Sequence, residues 1–135
     1  MRTVPWQAWV ALCGAVIGPP LLIYAALRVG RGKIPLHAAL MIAAAVVTVG
    51  VLISFGFVAA PSPRRPALRA LPLFRIHLAF AFTALAGIAW QLTSRAVPRL
   101  RALHRHTGRY IVLVWCLALV TGIYNFVFLY VMGGP

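Results

Sequence analysis

Four apolar runs leave few folds open to this chain. They cover approximately residues 6–28, 35–60, 71–93 and 109–132. Each is close to the roughly 20 residues with which an α-helix crosses the hydrocarbon core of a bilayer. Inside that core the backbone must satisfy its own hydrogen bonds, so spans of this length fold as helices. The links between them are short, which makes consecutive helices run antiparallel. The expected architecture is all-α: an integral membrane up-down-up-down four-helix bundle, with residues 1–135 as a single domain. Composition points the same way. Of 135 residues, 63% are hydrophobic and 10% charged, whereas an average soluble domain is roughly 25% charged. A soluble protein this small must keep a large surface polar, and this chain has too few polar residues to do so.

The first run follows a single basic residue, Arg2, and is too long and too interrupted for the apolar segment of a signal peptide, so it is expected to be retained. Pro19 and Pro20 should kink it, because each lacks a backbone donor. Trp6 and Trp9 suit an interfacial anchor at its start. The stretch Pro61-Ser62-Pro63-Arg64-Arg65-Pro66 between the second and third runs should be an extended, stiff turn. Small residues at Ala79, Ala81, Ala84, Ala86 and Gly87 should let the third helix pack closely. Basic residues set orientation. The side with the first and third loops carries eight of them: Arg28, Arg31, Lys33, Arg95, Arg99, Arg101, Arg105 and Arg109. The other carries five: Arg2, Arg64, Arg65, Arg69 and Arg75. The bias predicts a multi-pass protein of the inner (plasma) membrane with both termini outside the cytoplasm.

All 13 charged side chains are basic, and there is no Asp or Glu. Paired-carboxylate catalysis, carboxylate sites for hard cations and proton relays through buried acids are thereby excluded. The arginines sit between apolar runs, so they point to topology and to anionic lipid headgroups, with no nucleic-acid partner. Cys13 and Cys116 match no zinc or redox spacing and read as inert thiols within apolar runs. Ser54, Ser62 and Ser94 have no carboxylate-backed histidine, and there is no phosphate loop or dinucleotide fingerprint. The chain reads as a non-enzyme.

Chemistry therefore rests on His37, His77, His104 and His106. Ionisable residues in or near membrane helices are costly and tend to be functional, and imidazole is a common ligand of haem iron, copper and zinc. His37 and His104 precede or open helices that start at the same membrane face. His77 lies near the opposite face, roughly 20 Å away along the normal. His37 and His104 are thus the plausible pair of metal ligands, with Met41 a soft third partner for copper. His77 would serve a second site or bridge helices. His106 points elsewhere, toward headgroups. His37 shares a helical face with Met41 and Thr48, His77 with Ala81, Ala84 and Gln91, and His104 with Gly108, Trp115 and Gly122. Small residues on these faces leave room for a flat cofactor or for close helix contact, and the two produce the same pattern.

Gly32-Lys33-Ile34 with His37 and Met41, His77-Leu78-Ala79, and His104-Arg105 with Gly108, Trp115, Thr121-Gly122 and Tyr124 together form a recognisable set. Over roughly residues 30–130 the chain resembles the small four-helix bacterial membrane family catalogued as domain of unknown function four-twenty. That resemblance implies a maturation factor for haem-copper terminal oxidases, with cofactor-binding histidines at His37, His77 and His104 and with haem or copper as the cofactor. The short Pro/Arg-rich loop after the second run departs from the Gly-rich, aromatic segment of relatives. The His104-x-x-x-Gly108 opening is also similar to that of four-helix b-type cytochromes, which makes a haem-b electron-transfer protein the first alternative. A structural helper subunit of a membrane complex, without cofactor, is the second.

Overall fold

In a computed structural model, residues 4–29, 31–54 and 65–132 are described. They form helices α1 (Trp6–Val29), α2 (Ile34–Ile53), a short α3 (Arg65–Ala70), α4 (Pro72–Ala96) and α5 (Arg101–Phe126). A 3-10 turn, Pro98–Leu100, precedes α5, and a π-helical turn, Val127–Val131, follows it. Four of these segments are long and apolar enough to cross a membrane. The fold is an all-α four-helix arrangement with no strand among the described residues.

Local sequence explains the helix ends. The α1–α2 connection closes with Lys33 N–H donating to the Arg28 carbonyl (3.1 Å) and Gly32 N–H to the Val29 carbonyl (3.0 Å). This nested pair is a Schellman termination. It needs a left-handed residue, supplied by Gly32 at φ +73°. Pro35 and Pro72 stand in the first turns of α2 and α4, where the missing N–H has no intrahelical partner to lose. Helix α1 continues through Pro19 and Pro20.

Two expected boundaries move. The last helix begins at Arg101 rather than near residue 109, so the basic segment is itself helical. Pro98 is confined to the preceding turn, and nothing after it before Gly108 opposes helix. The proline-rich link differs as well. Residues 61–64 lie outside the described set, but Arg65 and Pro66 open α3 instead of extending the turn, because proline is tolerated at the start of a helix. The end expected for the second span, residues 55–60, also lies outside the described residues.

The main interfaces are α4 with α5, α5 with α1, and α1 with α2. The long helices thus form an arc in the order α4, α5, α1, α2. The core joins Leu22 of α1, Ala84 and Ile88 of α4, and Val112, Trp115 and Ala118 of α5, with Met41, Ala44 and Ala45 of α2 against it. Among the five small residues of α4, Ala84 and Gly87 are buried, Ala81 is half-buried, and Ala79 and Ala86 face outward. At Gly87 a Cβ would lie only 2.6 Å from Ile111 Cδ1. Close approach of α4 and α5 therefore depends on that glycine.

Candidate functional site

Three of the four histidines sit at helix seams and use the same nitrogen there. His37, in the first turn of α2, places Nδ1 3.0 Å from the Ala25 carbonyl of α1. His77, on α4, places Nδ1 3.1 Å from the Ala118 carbonyl of α5 and 3.0 Å from Thr121 Oγ1. His104, in the first turn of α5, places Nδ1 3.1 Å from the Gln91 carbonyl of α4. A carbonyl only accepts, so a ring bonded to one carries its proton on Nδ1 and keeps a free lone pair on Nε2. Thr121 strengthens the assignment at His77, since its hydroxyl donates to the Leu117 and Ala118 carbonyls and so accepts from the ring. Such a bond also fixes the ring's orientation, as the outer partners of metal-bound histidines do.

His104 sits in the richest polar network. Ser94 is fully buried beside it, with Oγ 3.5 Å from Nδ1. The Gln91 carboxamide reaches between His104 and Thr107. In one orientation Nε2 donates to Thr107 Oγ1 at 2.9 Å and leaves Nδ1–H of His104 to the Gln91 carbonyl. In the reversed orientation Nε2 donates to His104 Nδ1 at 2.8 Å, while Oε1 accepts from Thr107 Oγ1 (2.9 Å) and Gly108 N–H (3.2 Å). The reversed orientation requires the proton on Nε2, which removes the ligating lone pair. The reversed orientation satisfies both amide atoms, whereas the first sets Nε2 against the Gly108 N–H and Oε1 against the His104 carbonyl, so the His104 tautomer is tied to the amide and is not fixed by the Gln91 carbonyl alone. The sequence places Gln91 on the His77 face of α4, and it does share that face, but at the far end of the helix, where it meets His104. Thr107, which also accepts from Trp90 Nε1 at 3.1 Å, gives no signal in the sequence beyond its helical spacing to His104.

His37 and His104 lie at the same end of the bundle, as the topology predicts, but in different seams. One belongs to α1–α2 and the other to α4–α5. His77 is remote from both: its partner Ala118 is about 20 Å along α5 from His104. Among the described residues no group of three or more His, Cys, Asp or Glu side chains is placed to hold a metal. Met41, one turn after His37, is half-buried against the apolar cluster. His106 is exposed, with its ring edge-on to Tyr110 at 6.1 Å.

Gly108 and Gly122 face Gln91 and His77, respectively. A Cβ at either would meet its neighbour at ordinary contact distance, 3.6 and 3.5 Å. Neither glycine is required by the helix packing. Beside these, the basic end carries Arg28, whose guanidinium lies 4.3 Å from the Tyr24 ring centroid and donates to the Tyr24 hydroxyl.

No protein-family model matches the chain, and no curated protein or solved structure matches it significantly. The chain is a multi-span helical protein with three histidines at its helix seams, each with Nδ1 within hydrogen-bond distance of a carbonyl on the adjoining helix.

Proposed function

We propose that this chain is an accessory membrane protein, not an enzyme, that assists assembly of a haem-copper respiratory oxidase or insertion of its cofactor. It would hold haem or copper through Nε2 of His37 and His104, at the basic end of the bundle, and pass the group on. The observation that carries this reading is the shared Nδ1 bond. A ring held that way presents a fixed Nε2 to a metal, and the two rings do so at the same end of the bundle from separate seams. The residues fit temporary better than permanent holding. Two imidazoles in different seams make an incomplete set for a closed site, while a group in transit needs only one or two donors on each protein. Met41 would add a soft donor suited to copper. Binding at His104 would favour the Nδ1–H tautomer and hence one orientation of Gln91. His77 would bridge α4 and α5 or serve a second site. The resemblance to the domain-of-unknown-function family points to the same pathway, and the excess of basic residues supports an orientation with this end in the cytoplasm and both termini outside.

The test is oxidase maturation in cells whose own copy is deleted. The unaltered chain should restore oxidase activity. His37→Ala/His104→Ala should reach the membrane in equal amount and fail to restore it. Full maturation with the double variant would overturn the proposal. A second reading, a helper subunit of a larger complex, is favoured by α2, which buries none of its described residues within the chain. Co-purification with an intact complex, together with tolerance of the histidine substitutions, would select that reading.

A further inference from the structure

Helix α5 opens with a basic arc unrelated to the seam histidines. Arg101, Arg105 and Arg109 follow one another at four-residue steps, each turning roughly 40° around the helix. Ala102 and His106 continue the same arc, and all five are exposed. His104, Thr107 and Gly108 occupy the other side, toward α4. The arc therefore faces away from the bundle. Between its side chains lies a shallow groove of about 370 Å³, lined by Ala102, Arg105, His106 and Arg109.

The depth is marked by Tyr110. Its ring is exposed, its hydroxyl accepts from Arg109 Nη2 at 2.9 Å, and the Arg109 guanidinium lies 4.8 Å from its centroid. It stands where the basic turns give way to the apolar run, the usual level of an interfacial tyrosine. No internal group can neutralise the arc, because the chain has no Asp or Glu. A cationic groove at headgroup depth with no internal counterion calls for an anion delivered by the membrane. Guanidinium groups match phosphate oxygens through paired N–H donors.

We propose that Arg105, His106 and Arg109, over Ala102, bind the phosphodiester headgroup of an anionic phospholipid. The acyl chains would lie along the outer face of α5 below Tyr110. The site is independent of any cofactor at the histidine seams.

Native mass spectrometry of the full chain in mild detergent tests this, with phosphatidylglycerol and phosphatidylcholine of matched acyl chains. The unaltered protein should retain phosphatidylglycerol preferentially, and excess inorganic phosphate should not displace it. Arg105→Gln/Arg109→Gln should lose about tenfold in that preference. Arg105→Lys/Arg109→Lys, which keeps the charge but not the paired donors, should lose a smaller part of it. Arg31→Gln/Lys33→Gln, which removes the same charge from the exposed α1–α2 loop, should leave it unchanged. Equal retention of the two lipids by the unaltered protein would overturn the site, as would an undiminished preference in Arg105→Gln/Arg109→Gln. Equal loss in the loop variant would reduce the effect to net charge. Displacement by inorganic phosphate would assign the groove to a soluble anion instead.

Discussion

The α4–α5 seam and the α1–α2 seam draw on the same residue types and are held together very differently. Between α4 and α5, Ala84 and Gly87 bring the backbones close, Ile88 and Trp115 fill the contact, and polar bonds close both ends. His77 reaches Ala118 and Thr121 at one end, and His104 meets Gln91 and Ser94 at the other. Between α1 and α2 the described polar link is the single bond from His37 to Ala25. Near the other end of that seam a groove of about 280 Å³ opens among Gln7, Val10, Val47, Gly50 and Ser54. Lipid tails are as apolar as leucine, so burying apolar surface does little to join membrane helices; close packing and hydrogen bonds decide the matter. The first seam has both, and the second has little of either.

The difference can be broken most sharply at Gly87. Gly87→Ala sets a methyl group against Ile111, a branched side chain with little room to turn, and should cost about 1–3 kcal/mol in thermal unfolding in detergent. Gly108→Ala, on the same interface but with ordinary contact distance to Gln91, should be close to neutral. Equal losses at the two positions would contradict the close approach at Gly87. The next effect is at His77. Removing its ring in His77→Ala leaves the Ala118 carbonyl without that donor and should destabilise by about 1 kcal/mol, near the usual value of an interhelical bond in a membrane. His37→Ala should cost a similar amount but loosen only α2, read as faster hydrogen exchange at the start of that helix and unchanged exchange in α4 and α5. The smallest change is expected on the outer face of α2. Val46, 66% exposed, should tolerate Val46→Ala within about 0.5 kcal/mol. A larger loss would mean that this face is covered by protein.

The four spans are legible in the sequence because span length and apolar content are properties of a segment by itself. The same is true of the depths of the histidines, which follow from residue counts along antiparallel helices. What the sequence leaves open is lateral order. Nothing in the periodicity of α2 says that it lies at the end of an arc, and so His37 and His104 look like close partners when only their depth is known. The basic segment before Tyr110 reads as a loop because its charges mask good helix formers such as Ala102 and Leu103. Gln91 and His104 are assigned to separate faces of separate helices. Only the packing of α4 on α5 joins them and couples the orientation of the Gln91 amide to the ring's tautomer. Gly108 and Gly122 draw attention by their spacing from His104, yet the glycine that permits close contact is Gly87, whose Cβ would crowd three atoms of Ile111; Gly18 faces only the movable tip of Leu119, with Cδ1 at 2.6 Å and Cγ at 3.8 Å.

The proposed role turns on whether the seam histidines take a metal. The most direct measurement is a visible spectrum with metal analysis on the full chain purified in mild detergent, beside His37→Ala and His104→Ala. A Soret band or bound copper in the unaltered protein, diminished in both variants while their helical content is kept, is the expected result. A protein with neither haem nor copper after loading with each, or one whose binding survives both substitutions, would contradict it.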